Sequence, residues 1–248
     1  MRPEDLFFEL SHTKRIAILS LLRPQPLRLS ALAERTGISA PEVTRHLHRL
    51  VRLGLVDRRP ERLFGLTGYG RVITEFLPSF EFLVQHREFL RNHDLSRLPP
   101  AFVHRLDELA NPEIGEDVTD TMRHLDTVLE GAREFAWFMG PLPVLTEEAI
   151  AREMERSSAA VRVLIPPNLV GPAPSPPRRR RPLERLEVRL LAEIPLGVAM
   201  NEQIAGVSFP NRAGRIDLTT GIRGRTSDFR AWCRDVFQHY WELGRPLR

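Results

Sequence analysis

The 248-residue chain holds one cysteine and one lysine. The lone thiol, Cys233, excludes an internal disulfide, a CxxC pair and a thiol-clustered metal site, and with them zinc fingers and cysteine-based metal sensors. The lone amine, Lys14, leaves 35 arginines to carry the positive charge. Any mechanism that needs a catalytic or Schiff-base lysine therefore has a single residue to use. No apolar run approaches the roughly 20 residues that span a bilayer, and the acidic Met1-Arg2-Pro3-Glu4-Asp5 is unlike a signal peptide. The expectation is a cytoplasmic protein with no membrane partner. Hydrophobic residues at 42% and charged residues at 27% exclude wholesale disorder and a fibrous chain, and the length suits two domains.

Charge is unevenly spread. Residues 1–66 carry 12 basic against 7 acidic groups, residues 111–168 carry 5 against 11, and residues 169–248 carry 14 against 8. The basic N-terminal third suits a polyanionic partner.

Apolar spacing predicts a helix on Ile16, Leu19 and Leu22 capped by Ser11, then a short helix over 31–36 capped by Ser30. Gly37 supplies a turn, and Ser39 caps a helix from about Ala40 to Leu53 that closes at Gly54. Two short strands, 55–59 and 62–66, follow. Thr67 caps a long stripe through Ile73, Phe76, Leu77, Phe80, Leu83 and Val84 that Pro78 should kink or divide. Pro99-Pro100 introduces a helix through Phe102, Val103, Leu106 and Leu109.

The remainder alternates helix (118–131, 146–156) with strand (135–139, 161–165), then runs through strands near 186–191, 197–200, 205–209 and 215–218 to a helix from Ser227 to Leu243. Residues 166–182, rich in proline and holding four consecutive arginines, read as a loop. The fold class expected is an α+β winged helix-turn-helix domain followed by an α/β effector domain. Its parts are a DNA-binding domain (1–68), a connector and dimerisation helix (69–92) and an effector or interaction domain (93–248).

On a helical wheel, Leu47 and Leu50 fall within about 40° of Val43, while Arg45, Arg49 and Arg52 fall near 180–240°. The arginines share the outward face, bordered by Pro41, Glu42, Thr44 and His48. The N-terminal part of such a helix reaches base edges when it enters a major groove. Arg58, Arg59 and Arg62 surround the hairpin tip, where they suit phosphate or minor-groove contacts. Three arginines on one isolated helix would be a solvated face, but helix, glycine turn, capped basic helix and basic hairpin together point to double-stranded DNA.

The stretch Leu32-Ala33-Glu34-Arg35-Thr36-Gly37-Ile38-Ser39-Ala40-Pro41-Glu42-Val43-Thr44-Arg45-His46-Leu47 resembles the ArsR-like winged helix, a match that continues through Leu50 and Gly54-Leu55-Val56. The resemblance implies that Ser39, Ala40, Glu42, Thr44 and Arg45 face the groove, with 58–62 as the wing. Three further stretches, Arg87 to Pro99, Arg212-Ala213-Gly214-Arg215-Ile216-Asp217-Leu218 and Phe229 to Trp241, resemble archaeal regulators with a methanogenesis regulatory protein domain, distantly similar to TrmB-type regulators. That resemblance implies a sensor or assembly domain with a phospholipase-D-like fold. Phospholipase-D chemistry needs a histidine, a lysine and an aspartate, and residues 93–248 contain no lysine.

Asp217, Thr219 and Thr220 are the candidate ligand-binding residues, if a 215–218 strand delivers them to the crevice at the carboxyl ends of an open sheet. A plain capped turn is the competing reading. The pairs His46/His48 and His86/His93 are poorly spaced for a metal on a helix, and neither metal nor cofactor is expected. Trp137, Trp241 and Cys233 read as core. The sequence thus points to a non-enzymatic transcription regulator, a homodimer on promoter DNA controlled by a small-molecule effector or protein partner. Its rival is an archaeal chromatin-like protein that coats DNA with low specificity.

Overall fold

The computed structural model describes residues 2–141, 159–169 and 185–247, and the chain divides into two compact units, 1–81 and 82–248. The helix expected over 146–156 and most of the Pro/Arg loop lie outside the described residues.

The first unit runs α1 (Pro3–Leu10), α2 (Thr13–Leu22), β1 (Leu27–Arg28), α3 (Leu29–Thr36), α4 (Ala40–Arg52), β2 (Val56–Arg59), β3 (Leu63–Leu66) and α5 (Gly68–Glu75). Gly37 ends α3 at φ 66, a left-handed conformation that glycine adopts without steric cost. The turn it makes sets α4 against α3. Val43, Leu47 and Leu50 of α4 are fully buried against Ile18, Leu19, Leu22 and Leu32, each such side chain contributing about 1.5–3 kcal/mol of burial. β2 and β3 pair antiparallel from Val56↔Leu66 to Arg59↔Leu63. β1 adds a third strand through Leu27↔Phe64; two residues are too few to show alternation in the sequence.

Two helix starts differ from expectation. His12, not Ser11, caps α2, its Nδ1 accepting from Lys14 N at 3.2 Å. The Ser11 hydroxyl instead donates to Phe8 O and finishes α1. α3 begins at Leu29, straight out of β1, without Ser30 as its cap. Lys14 Nζ donates to the Thr36 carbonyl at 3.0 Å, so the only lysine fastens α2 to the end of α3.

The long stripe is three helices: α5, α6 (Leu77–Gln85) and α7 (Arg87–Asn92). Pro78 lies in the first turn of α6, where its missing N–H is no loss. The stripe also faces two ways. Ile73 and Leu77 pack in the first unit's core, whereas Tyr69, Val72, Phe76 and Phe80 are exposed.

The second unit continues with α7 and α8 (Pro100–Val103), then a 3-10 turn at Leu106–Leu109 where one continuous helix was expected. β4 (Glu113–Ile114), α9 (Val118–Glu130), β5 (Phe135–Met139), β6 (Ala160–Ile165), β7 (Leu186–Leu190), β8 (Gly197–Asn201), β9 (Ala205–Ser208), β10 (Ile222–Gly224), α10 (Ser227–Leu243) and β11 (Arg245–Pro246) complete it. One sheet has the order β11-β7-β6-β5-β8-β9-β10-β4. It is parallel from β7 through β6 to β5 and antiparallel from β5 through β8 to β4.

Because side chains alternate along a strand, the sheet has two dry faces. Ala136, Phe138, Val161 and Val163 meet Leu125, Val128 and Leu129 of α9. Met139, Leu164, Val198 and Met200 meet Phe229, Trp232, Val236 and Phe237 of α10. Trp137 stacks on Phe237 at 4.9 Å, Trp241 is buried beside it, and Cys233 is buried with its thiol pKa pushed up by desolvation.

The strand expected at 215–218 is absent. Residues 210–221 form a loop with two isolated bridges, Pro210↔Ile216 and Asn211↔His93, and the strand comes later as β10. The reason is local: Asn211 Oδ1 accepts from the amides of Ala213 and Arg215, and Asp217 Oδ1 from the amide of Thr219. Such side-chain bonds take the backbone donors that a strand would need.

Candidate nucleic-acid interface

Ser39 precedes α4 with a reciprocal cap, in which Glu42 Oε2 accepts from Ser39 N at 3.1 Å and from Ser39 Oγ at 2.8 Å. Those bonds hold the Glu42 carboxyl below its ordinary pKa, with the Ser39 hydroxyl as the chief cause. Thr44 Oγ1 is spent on the Ala40 carbonyl at 2.8 Å. Ala40, Pro41, Thr44, Arg45, His48 and Arg52 are exposed on the side of α4 away from Val43, Leu47 and Leu50. Among the described residues, neither the Arg45 nor the Arg52 side chain has a hydrogen bond or ion pair.

Arg49 differs from them. Its Nη2 and Nε lie 2.7 and 3.0 Å from Oε1 of Glu9 on α1. Glu9 is 4% exposed, and so is Arg15, whose Nε sits 2.9 Å from Glu9 Oε2. Arg15 also donates to the carbonyls of Glu9 and Phe8. Desolvation lowers the Arg15 pKa from its ordinary value, with Glu9 acting in the opposite direction. Arg49 is therefore half of a buried clasp between α1 and α4. The outward angle of its Cα is right, but its guanidinium turns back to an acid 40 positions away that no wheel displays.

The wing divides similarly. Arg59 folds across Gly65, where an added Cβ would stand 2.5 Å from its Nε, and bonds Leu66 O and Asp57 Oδ1. Arg58 is exposed with its guanidinium over Phe64, and Arg62 is exposed at the tip. Glu61 and Arg62 have φ of 61 and 60, a left-handed pair costing roughly 1–2 kcal/mol per non-glycine residue. Arg28, which the sequence reading passed over, is exposed on β1 opposite Leu63 of the wing. The only sign of it in the sequence was an arginine after Pro26-Leu27.

In the second unit, Asp217 Oδ2 lies 3.2 Å from His93 Nε2 and accepts from Thr220 Oγ1 at 2.6 Å. His93 Nδ1 donates to the Phe89 carbonyl at 2.7 Å, and Thr219 Oγ1 donates to Asp217 Oδ1. Asp94 N donates to Pro210 O at 2.8 Å beside it. The three candidate ligand residues are thus brought together, but in a loop facing His93 at the end of α7, not at a strand's carboxyl end.

Residues 3–88 match the family described as the HVO_A0261 N-terminal domain, and residues 123–243 match the middle domain of the methanogenesis regulatory protein FilR1. Each match covers less than half of the chain. No curated protein matches it at a significant level. Among solved structures, the archaeal chromatin protein TrmBL2, which shows a novel mode of DNA binding, is 14% identical over 95% of this chain and 94% of that one, with a TM-score of 0.44. An IclR transcriptional regulator from Alicyclobacillus acidocaldarius is 14% identical over 92% and 96%, with a TM-score of 0.26. The methyltransferase CalO1 of calicheamicin biosynthesis is 15% identical over 76% and 63%, also at 0.26. Likenesses this distant establish no function. No helix among the described residues is long and apolar enough to cross a membrane.

The second unit should carry a pH dependence from Asp217. Although burial alone would raise it, the bonds from Thr219, Thr220 and His93 bring its pKa down to about 2 from 3.8. A carboxylate depressed in the folded state stabilises above its unfolded pKa and loses that contribution as pH falls through the folded one. Urea unfolding followed by tryptophan fluorescence should show stability falling between pH 4 and pH 2 by on the order of 2 kcal/mol. Asp217→Asn should be less stable at pH 7 and flatter across that range. An unchanged pH profile in Asp217→Asn would assign the acid sensitivity elsewhere.

Proposed function

We propose that this regulator holds double-stranded promoter DNA with α4 and the β2–β3 wing as a homodimer, and that its second unit is a non-catalytic module controlled by a small-molecule effector or protein partner. The observation that carries the DNA reading is the sorting of arginines. Those with internal acids, Arg15 and Arg49, lie against the fold, while Arg45, Arg52 and Arg62 project with no acidic partner among the described residues. Unpaired guanidiniums on a capped helix and a wing tip suit phosphates and guanine edges.

The exposed row Tyr69, Val72, Phe76 and Phe80 supports dimerisation at α5 and the start of α6. Its spacing replaces the seam through Ile73 and Leu77, which face inward. The non-catalytic reading is supported by the His93–Asp217 pair of the second unit. The His93 side chain is 2% exposed, with both nitrogens engaged, and no lysine follows it to hold a phosphate.

Arg45→Ala tests the proposal. Affinity for the native promoter should fall by about 1–3 kcal/mol, tenfold to roughly a hundredfold, while the melting temperature stays put. Unchanged affinity would remove α4 as the reader. A ratio of promoter to random DNA near one in the wild type would favour the coating protein instead.

A further inference from the structure

Between the first half of α9 and the antiparallel half of the sheet lies an open cleft, and all of its lining belongs to the second unit. Its shape comes from missing side chains: Gly140, Gly197, Gly206 and Gly221 all line it. An added Cβ on Gly206 would stand 2.4 Å from His124 Nε2, so the imidazole occupies the space a side chain would fill. Gly221 likewise lets Ser208 Oγ approach.

Its polar groups are few. His124 is 6% exposed, and its Nε2 lies 3.2 Å from the Ala199 carbonyl, which can only accept. The proton therefore sits on Nε2, and Nδ1 is left as a bare acceptor, buried and with no partner among the described residues. Desolvation brings the imidazole pKa down to about 4, so it is uncharged at neutral pH. Arg223 is the one charged residue of the lining, and Asp120 already answers it. Arg223 Nη1 donates to the Asp120 carbonyl at 3.2 Å, and Nη2 lies 3.7 Å from the carboxylate. Thr121 and Ser208 add two hydroxyls, and the remaining side chains, Leu125, Met139 and Val198 among them, are apolar.

A buried acceptor that nothing meets is uncommon in a folded protein and marks a place for a missing donor. We infer that this cleft is a binding site for an uncharged, mainly apolar small molecule that donates one hydrogen bond to His124. This deepens the reading of the second unit as the controlled half of a regulator and rests on it for purpose, but not for evidence. The loop that walls the cleft with Leu218 and Gly221 is the same one whose Asp217 and Thr220 hold His93 at the end of α7. An occupant would thus press on the loop that grips α7.

Indole, 1-methylindole and indole-3-carboxylate, titrated against the full chain by saturation-transfer NMR, separate the elements of the proposal. Indole should bind at least tenfold more tightly than 1-methylindole, which lacks the donor, and more tightly than the carboxylate. Thr121→Trp, which fills the cleft from the surface of α9, should abolish indole binding. His124→Phe should erase the preference for indole over its methylated form. Absence of transfer to indole, equal binding of indole and 1-methylindole, or undiminished binding to a folded Thr121→Trp would overturn the site. Tighter binding of the carboxylate would overturn the uncharged ligand. The probe comparison in the wild type needs no variant to fold. None of these readouts involves DNA, so a failed cleft leaves the DNA reading standing, and unchanged promoter affinity in Arg45→Ala leaves the cleft standing.

Discussion

Glu9→Gln should unfold the first unit at markedly lower denaturant while leaving the second unit where it is. The substitution keeps the shape of the side chain and removes its charge. Arg15, 4% exposed, then has only neutral acceptors, the backbone carbonyls at positions 9 and 8 and an amide oxygen, and no carboxylate balances it. Breaking a buried ion pair from one side typically costs about 3–5 kcal/mol, because a charge is left in low dielectric without its counterpart. That is a large share of the 5–15 kcal/mol that holds a domain folded. Arg49→Ala should cost much less, since its side chain is 38% exposed and water replaces part of the interaction. All three tryptophans, 137, 232 and 241, are in the second unit. Fluorescence therefore follows that unit alone, while helical circular dichroism follows both. In Glu9→Gln the dichroism should begin to fall before the fluorescence changes. Transitions matching those of the wild type would mean that the buried triad is energetically idle.

The second large effect is expected in DNA binding. Replacing Arg58 and Arg62 together by alanine should weaken binding to promoter and random DNA alike, by about tenfold to a hundredfold near physiological salt. The dependence of log affinity on log salt should flatten by about 1.8, since each neutralised phosphate contributes roughly 0.9 to the slope. Arg59→Ala is the internal comparison: with its guanidinium on Leu66 O and Asp57, it should loosen the hairpin and leave the slope nearly intact. A double variant with the wild-type slope would take the wing out of the interface. A slope lost with Arg59 alone would show that its bonds to Leu66 and Asp57 give way on DNA.

These expectations depend on what the sequence could and could not convey. Periodicity and caps are local, and elements defined by them were legible. α4 lies between the Ser39–Glu42 cap and Gly54, and α10 spans Ser227–Leu243 as its apolar spacing implies. β5, buried on both faces, was equally plain as an apolar run. The errors came where distant partners or short-range polar bonds decide. Arg49 looked free because Glu9 is 40 residues away, and residues 215–218 looked like a strand because Asn211 and Asp217 take the amides around them only when the chain turns. The cleft left no sequence signature at all, since four separated glycines and one histidine say nothing of which surfaces they leave uncovered.

The fastening of Lys14 to the Thr36 carbonyl has a consequence for control. With no other lysine in the chain, the cations of α4 and the wing are guanidiniums throughout, charged at any physiological pH. Acetylation, which switches off lysine-based contacts, has nothing to act on there. Under the proposed function, control is then left to salt, to dimerisation or to the effector of the second unit. The same chemistry is useful at the bench: an amine-reactive dye or biotin finds no side-chain target on the proposed DNA face, so the protein can be labelled or immobilised with that face untouched.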